Sequence, residues 1–395
     1  MACSISCKEK IKLKVLFVTT AFPRWKDDGR GAFIYEMANA IRNAGCSIKV
    51  VAMHSPGVKE YEEIEGIEVF RPRYFPDKWE VLRRDSAGIP YAWKTYPFAK
   101  LEIIPFVIKH LIAVIKNKKE VDVIHAHWTL SAAVVMLSQF INSKPFVITV
   151  HGSDVFQGLQ NPIFRFISRI VLMTAKFVIT PSKALAEKII DLGIEPNRVK
   201  IISNGINLLP IKTTKREPII LFVGSIVESK GVKDLFEAFL RISKINTLVE
   251  LVFIGEGKEI VGLKFAAQKS NVKNKIHFLG ALPHSETIEW MGKSRILVLP
   301  SYQEGQGVVL LEAMSVGTPC IGSKVGGIPE IIDNKNGWLF TAGDINELCK
   351  ILLEALNDEQ LWKEKSDYCL EFIKKFSWDQ IGRKLIDIYY QCTIR

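Results

Sequence analysis

No CxxC pair occurs among the seven cysteines, which are scattered at positions 3, 7, 46, 320, 349, 369 and 392. An odd, dispersed set excludes a disulfide framework and a zinc ribbon and points to a reducing cytosol. Long unbroken apolar runs are missing too. The start, MACSISCKEKIK, has no long apolar core, and the best apolar stretch further on, LEIIPFVIKHLIAVI (101–115), is interrupted by Lys109 and His110. Neither a signal peptide nor a spanning helix is therefore expected. Other absences narrow the chemistry. FIGEGKEIVG (253–262) misplaces the third glycine of G-x-G-x-x-G, which argues against a dinucleotide oxidoreductase, and VGSIVESKG (223–231) lacks the G-K-[ST] of a P-loop. No D-x-D follows a strand, since Asp27 and Asp28 are adjacent in the polar loop WKDDGRG. No carboxylate pair for a divalent ion is thus expected. Ribonucleoprotein, helix-turn-helix and zinc-finger patterns are absent, so nucleic acid is not an expected partner.

What is present is a chain of 395 residues, 48% hydrophobic and 24% charged, enough for two ordinary globular domains of soluble composition. The net charge of +11 is unevenly spread: residues 71–119 carry eleven Lys or Arg against four acids, a local excess of seven. Tyr74, Phe75, Trp79, Tyr91, Trp93, Tyr96, Phe98 and Phe106 are interleaved with them. That mixture suits the headgroup layer of an anionic membrane. It equally suits a solvated basic face whose aromatics pack inward.

Short apolar runs alternate with amphipathic stretches. KVLFVTT (14–20), SIKVVAM (47–53), DVIHAH (122–127), FVITV (146–150), FVIT (177–180) and VKII (199–202) have the length and β-branching of buried parallel strands. FIYEMANAIRNAG (33–45) and SKALAEKIIDLG (182–193) end on glycines suited to helix C-caps. After the turn-rich SNGINLLPIKTTKREP (203–218), the pattern restarts with IILFVGS, ELVFIG, KIHFLG, RILVLPS and PCIGS. The expected fold is α/β, with two Rossmann-like, doubly wound parallel-sheet domains facing a central cleft. The expected boundaries are 1–207 and 208–376. The last helix, 377–391, either finishes the second domain or packs back on the first. Asp344 and Glu347 have capping-box spacing in GDINELCKILLEAL.

One segment concentrates chemistry. EGQGVVLLE (304–312) follows a strand and opens a helix, placing Gly305 and Gly307 at a helix N-terminus, where unpaired N–H groups and the helix dipole favour a phosphate. Glu304 on the loop and Glu312 two turns along could accept hydrogen bonds from hydroxyls on either side. The wider stretch PSYQEGQGVVLLEAMSVGTPCIGSKVGGIPEIIDNKNGWLF resembles the donor-site signature of the family-four retaining glycosyltransferases of GT-B fold. The resemblance runs through AFPRWKDDGRGAFIYEMANAIRNAG, DVIHAHW, VTVHGSD, SNGIN, VGSIVESKGV and FIGEG.

The resemblance implies that Glu304 binds hydroxyls of the transferred sugar, that the N–H groups of Gln306, Gly307 and Val308, beside Gly305, bind the diphosphate, and that Glu312 clamps the ribose. Lys230 would neutralise the same diphosphate. His151 would line the sugar pocket and stabilise the transition state, supported by Asp154. Gly29 and Gly31 would let backbone approach the phosphates or the acceptor, and Gly280 to Leu282 would lie near the nucleobase. Ser225 stands where many members carry an arginine, Asn207 where aspartate is commoner, and Gln306 where phenylalanine is frequent, which would alter the sugar pocket. The implied reaction is metal-independent hexosyl transfer with retention, from a UDP-sugar first and a GDP-sugar next. P-x6-G-x2-F near the start and HGSDVF look most like the branch that builds cell-surface polysaccharide, including teichuronic acid. With the basic aromatic segment, that suggests a glycan or lipid-linked acceptor and a cytoplasmic protein peripheral at the inner membrane face. An epimerase or phosphorylase on the same fold fits E-x7-E and HGSD poorly, and a catalytically inactive sugar-nucleotide-binding or membrane-scaffold protein would not need Glu304, Glu312, Lys230 and His151 all intact.

Overall fold

A computed structural model describes residues 12–25, 28–29, 31–82, 89–156, 161–208 and 216–393. Two compact units result. One comprises the chain up to Thr180, Ile189–Ile202 and the chain from Ile381; the other comprises Pro181–Lys188 and Ser203–Gln380. The chain passes between the units at 180/181, 188/189, 202/203 and 380/381, where a cut at 207/208, with or without a return of the last helix, is expected. Pro181–Lys188 joins the second unit because Ser182 Oγ donates to the Gly305 carbonyl at 2.6 Å and the N–H groups of Lys183 and Ala184 donate to the Glu330 carboxylate.

The strands of the first unit are β1 (Lys14–Thr19), β2 (Ser47–Ala52), β3 (Tyr61–Ile64), β4 (Ile67–Phe70), β5 (Val123–His127), β6 (Phe146–Thr149), β7 (Phe177–Thr180) and β8 (Val199–Ile201). They form one sheet ordered β3-β4-β2-β1-β5-β6-β7-β8, parallel except for β3 against β4. The β3–β4 hairpin was not among the expected strands. Glu65 and Gly66, both at positive φ, make its two-residue turn, the backbone a primed turn requires. Its helices are α1 (Ala32–Asn43), α2 (Ile89–Thr95), α3 (Ile103–Asn117), α4 (Trp128–Ser138), α5 (Ser153–Phe156), α6 (Pro162–Thr174) and the last turn of α7 (Lys183–Asp191), whose earlier residues belong to the second unit.

The second unit has β9 (Glu217–Val223), β10 (Glu250–Ile254), β11 (Ile276–Gly280), β12 (Ser294–Leu299), β13 (Cys320–Ser323) and β14 (Gly337–Phe340), all parallel in the order β11-β10-β9-β12-β13-β14. Its helices are α8 (Val232–Ile242), α9 (Ile260–Lys269), α10 (His284–Lys293), α11 (Val308–Ser315), α12 (Ile328–Ile331), α13 (Ile345–Asn357) and α14 (Glu359–Phe372). Strands such as Ile220–Phe222 and Ile296–Val298 are wholly buried, which is why they read as continuous apolar runs rather than alternating ones. Asp344 caps α13 by accepting the Glu347 N–H at 2.9 Å, as its spacing predicts.

α15 (Trp378–Thr393) settles the open question about the last helix. From Ile381 it belongs to the first unit: Gly382 lies against Ala40 of α1, and the Tyr389 hydroxyl meets His125 Nδ1 at 2.6 Å. Residues 71–119 follow mainly the inward-packed reading. Tyr74 and Phe106 are buried in a cluster with Met53, Leu82, Ala92 and Ala99, and Phe75, Trp93 and Tyr96 lean on it. Arg71 is fully buried and bonds the Pro23 carbonyl and Glu62, while Lys118 holds the Ser138 carbonyl. Trp79 and Phe98 remain exposed; Arg83 and Arg84 lie outside the described residues.

Candidate active site

In open α/β sheets, ligands gather where neighbouring strands send their connections in opposite directions. In the second unit that point lies between β9 and β12, the strands that deliver Lys230 and Glu304. Gly231 sits at φ 65°, and a Cβ there would come within 1.9 Å of the Pro300 carbonyl oxygen. Only glycine allows that approach. With the Tyr302 N–H donating to the Ser229 carbonyl, it laces the loop after β9 to the loop after β12. The result is a direct contact: Lys230 Nζ lies 2.6 Å from Glu304 Oε2.

Gly307, at φ 89°, is the N-cap of α11. The N–H groups of Gln306, Gly307 and Val308 donate to no protein acceptor among the described residues. Three free donors beside an ammonium make this a place of positive potential that favours an anion. The turn is held from behind by Gly326 and Gly327, packed backbone to backbone on Glu304 and Gly305, which gives the GGIPE loop its physical purpose. Glu330 of that loop caps α7 rather than facing a ligand.

The Gln306 side chain departs from expectation. It is buried, and its Oε1 accepts from Asn204 N and Nδ2 at 3.1 and 2.7 Å while Nε2 donates to Ser203 Oγ. With its hydrogen bonds used in this way, it is a strut behind the turn rather than a sugar contact. Glu312 accepts from His284 Nε2 at 2.9 Å. His284 was missed from sequence; its position just after the β11 end, in ALPHSE, was the available signal. Gly280, at φ 73°, has open space where a side chain would be, Leu282 is half-buried, and Ser225 is exposed at the end of β9.

In the first unit the corresponding point lies between β1 and β5. Gly31, at φ 75°, starts α1, and a Cβ there would come within 2.6 Å of the Ala21 carbonyl. Gly29 has open space around it. Strand alternation puts His125 and His127 on one face of β5. His127 Nδ1 meets His151 Nε2 at 3.2 Å, and His125 is fixed by Thr149 Oγ1 at 2.7 Å and by Tyr389. Phe33 and Trp128 pack on the His151 ring, with Trp128 at φ 62°. A tryptophan held in that region is strained, a feature that concentrates at functional sites. This ladder escaped sequence reasoning because its members are far apart in the chain. The side chain of Asp154 lies outside the described residues.

Burial pushes His151, His125 and His110 down to about 3 and His127 well below its ordinary value. His151 is therefore a neutral imidazole at pH 7. Between about pH 3 and the ordinary histidine value near 6.5 the unfolded chain binds more protons than the folded one, so stability rises with pH across that window and is lost on acidification. His54 opposes this. Burial lowers it, but the bond and charge of Glu80 outweigh burial and leave it raised, so its contribution is lost as pH rises. Four groups against one predict a denaturation midpoint lower at pH 5 than at pH 7. His127→Gln should flatten that slope by ~1.4 kcal/mol per pH unit for its proton; equal midpoints at both pH values would contradict four neutral histidines.

As for metals, among the described residues His54, Asp77 and Glu80 have ligand spacing. His54 Nε2 faces the Val58 carbonyl at 2.9 Å and Nδ1 faces Glu80 at 2.7 Å, so both ring nitrogens already have protein partners. Asp28 is paired with Arg24 at 2.7 Å; Asp27 lies outside the described residues.

Two family models match the chain: Glycosyltransferase Family 4 over residues 28–208 and Glycosyl transferases group 1 over residues 210–375. An uncharacterized glycosyltransferase of Methanocaldococcus jannaschii is 33% identical over 276 residues, covering 69% of this chain and 76% of that one. TuaC of Bacillus subtilis, a glycosyltransferase named for teichuronic acid biosynthesis, is 26% identical over 398 residues, covering 89% and 91%. Among solved structures, Anabaena HepE in complex with UDP-glucose aligns with a TM-score of 0.74 at 18% identity, covering 96% of this chain and 100% of that one.

Proposed function

Since the chain belongs to the glycosyltransferases of GT-B fold, we propose that it moves a hexosyl unit, with retention and without a metal, from a nucleoside-diphosphate sugar to a glycan or lipid-linked acceptor at the cytoplasmic membrane face. The observation that carries this is the Lys230–Glu304 contact set beside three free N–H groups. An ammonium and a helix N-terminus supply the positive potential that a departing nucleoside diphosphate needs. When a donor enters, Lys230 turns to the diphosphate and Glu304 to the sugar hydroxyls, exchanging one ion pair for two charge-assisted contacts. Glu312, with His284, takes the ribose. His151, neutral, offers a hydrogen bond to the transferred sugar. In the retaining step the bond from the anomeric carbon to the phosphate oxygen breaks, the acceptor oxygen bonds to the same face, and its proton passes to the leaving phosphate.

A UDP-sugar is the first choice and a GDP-sugar the second; HepE, crystallised with UDP-glucose, supports the former. The naming of TuaC supports an acceptor in cell-surface polysaccharide. The test is nucleotide release from UDP-, GDP-, ADP- and dTDP-sugars in EDTA. Slow release from one donor is expected, with His151→Ala slower still. Release that vanishes in EDTA and returns with magnesium would end the metal-free reading. No release and no thermal stabilisation by any donor would end the donor-binding reading.

A further inference from the structure

We propose that the first unit docks on an anionic lipid bilayer through the outer faces of α3 and α6, a surface that shares α3 with the basic segment 71–119 and adds α6 to it. This deepens the reading of a membrane-face acceptor and rests on it. A helix covering a sheet ordinarily turns its apolar stripe inward and its polar side out. α3 buries Phe106, His110 and Val114, yet the opposite side is apolar as well: Ile104, Ile108 and Ile112, spaced four apart, are 63%, 50% and 45% exposed. α6 repeats the pattern, burying Ser168, Val171 and Leu172 while Phe166 and Ile170 face solvent. Both helices pack against α4, and Phe140, just past its end, is 88% exposed. Water is the wrong solvent for such rows, and contiguous apolar patches of this kind mark docking surfaces.

Charge identifies what covers them. α3, α4 and α6 contain no Asp or Glu, and from Val123 to Ala186 the sequence has a single acid, Asp154. Lys109 and Lys116 run beside the isoleucine row of α3, and Arg165 and Arg169 beside the exposed row of α6. An apolar ridge flanked by cations of one sign is complementary to a surface presenting phosphates above hydrocarbon. No helix of the described residues is long and apolar enough to cross a membrane, so these helices lie on the surface rather than span it.

The test is sedimentation of the full chain with vesicles of phosphatidylcholine and phosphatidylglycerol, against phosphatidylcholine alone. Binding to the anionic vesicles, weaker on neutral ones and reduced by salt, is expected. Ile108→Glu and Phe166→Glu should each lower the partition coefficient about tenfold or more, since each removes an inserted side chain. Both positions are exposed, so melting curves should match the parent. Lys109→Glu with Lys116→Glu should weaken binding to anionic vesicles and leave neutral ones unchanged. Absence of binding, or variants that bind like the parent, would overturn the proposal, as would a dimer in light scattering that Ile108→Glu disperses. Donor release that persists without vesicle binding sinks the docking alone; vesicle binding without donor release sinks the catalytic reading alone.

Discussion

Alanine at Lys230 is expected to lower nucleotide release by about 10²- to 10³-fold, the range associated with removing one preorganised group that stabilises developing negative charge. Stability should change little. The Lys230–Glu304 pair is partly exposed, with side-chain accessibilities of 25% and 14%, and such pairs contribute ~1 kcal/mol or less. The separation of the two effects is the informative part. If the ammonium acts on the leaving diphosphate, kcat falls more than KM rises, because the interaction strengthens as the bond breaks. Glu304→Ala should instead raise KM as well, since sugar hydroxyls are present throughout. Ser225 sharpens the prediction: with a hydroxyl where an arginine is frequent, Lys230 has fewer cations sharing its task. Lys230→Arg should recover part of the rate, because the charge returns but its compact geometry does not. Lys230→Ala with unchanged kcat on the preferred donor would remove the lysine from the chemistry.

Much of this site was legible in the sequence because it is made by short-range pattern. A buried strand, a glycine turn and a helix start occupy consecutive residues 295–315, so composition and spacing locate Glu304, Gly307 and Glu312 together. Lys230 was legible for the same reason, at its own strand-to-helix turn. What sequence could not show was contact at long range. The His125–Tyr389 bond spans 264 positions, and nothing local distinguishes Tyr389 from the tyrosine beside it. Gln306 was misread because a polar residue in a pocket motif does not reveal which way it points; only the positions of Asn204 and Ser203 decide that. The aromatics of 71–119 were ambiguous for another reason. A basic run sets no direction for the rings within it, and Tyr74 and Phe106 turned into the core. The surface with the stronger claim on lipid arises from two helices separated in the chain, each with two apolar sides, and becomes visible only once one side of each is seen to be covered.

Gly326→Ala is expected to be a strongly damaging small substitution in the second unit. Gly326 stands at φ 53°, and a Cβ there would lie 1.9 Å from the Glu304 carbonyl oxygen. The neighbour is backbone, so no rotamer relieves the clash. Left-handed strain of about 1–2 kcal/mol adds to an overpacking cost of ~1–3 kcal/mol. The chain escapes by pushing the 304–306 turn outward. That displaces Glu304 from Lys230, tilts the N–H groups of Gln306 and Gly307, and disturbs the carbonyl of Gly305 that Ser182 holds. The variant should therefore melt several degrees lower and lose the thermal shift that a donor gives the parent. Gly262→Ala is the control. It lies exposed in α9 with nothing within 4 Å of a built Cβ, and there alanine is expected to be neutral or to stabilise by roughly 0.5–1 kcal/mol. If Gly326→Ala melted with the parent and kept its donor shift, the GGIPE loop would not be what holds Glu304 in place. The two variants add the same methyl group, so a difference between them reads the backbone contact and not the loss of glycine.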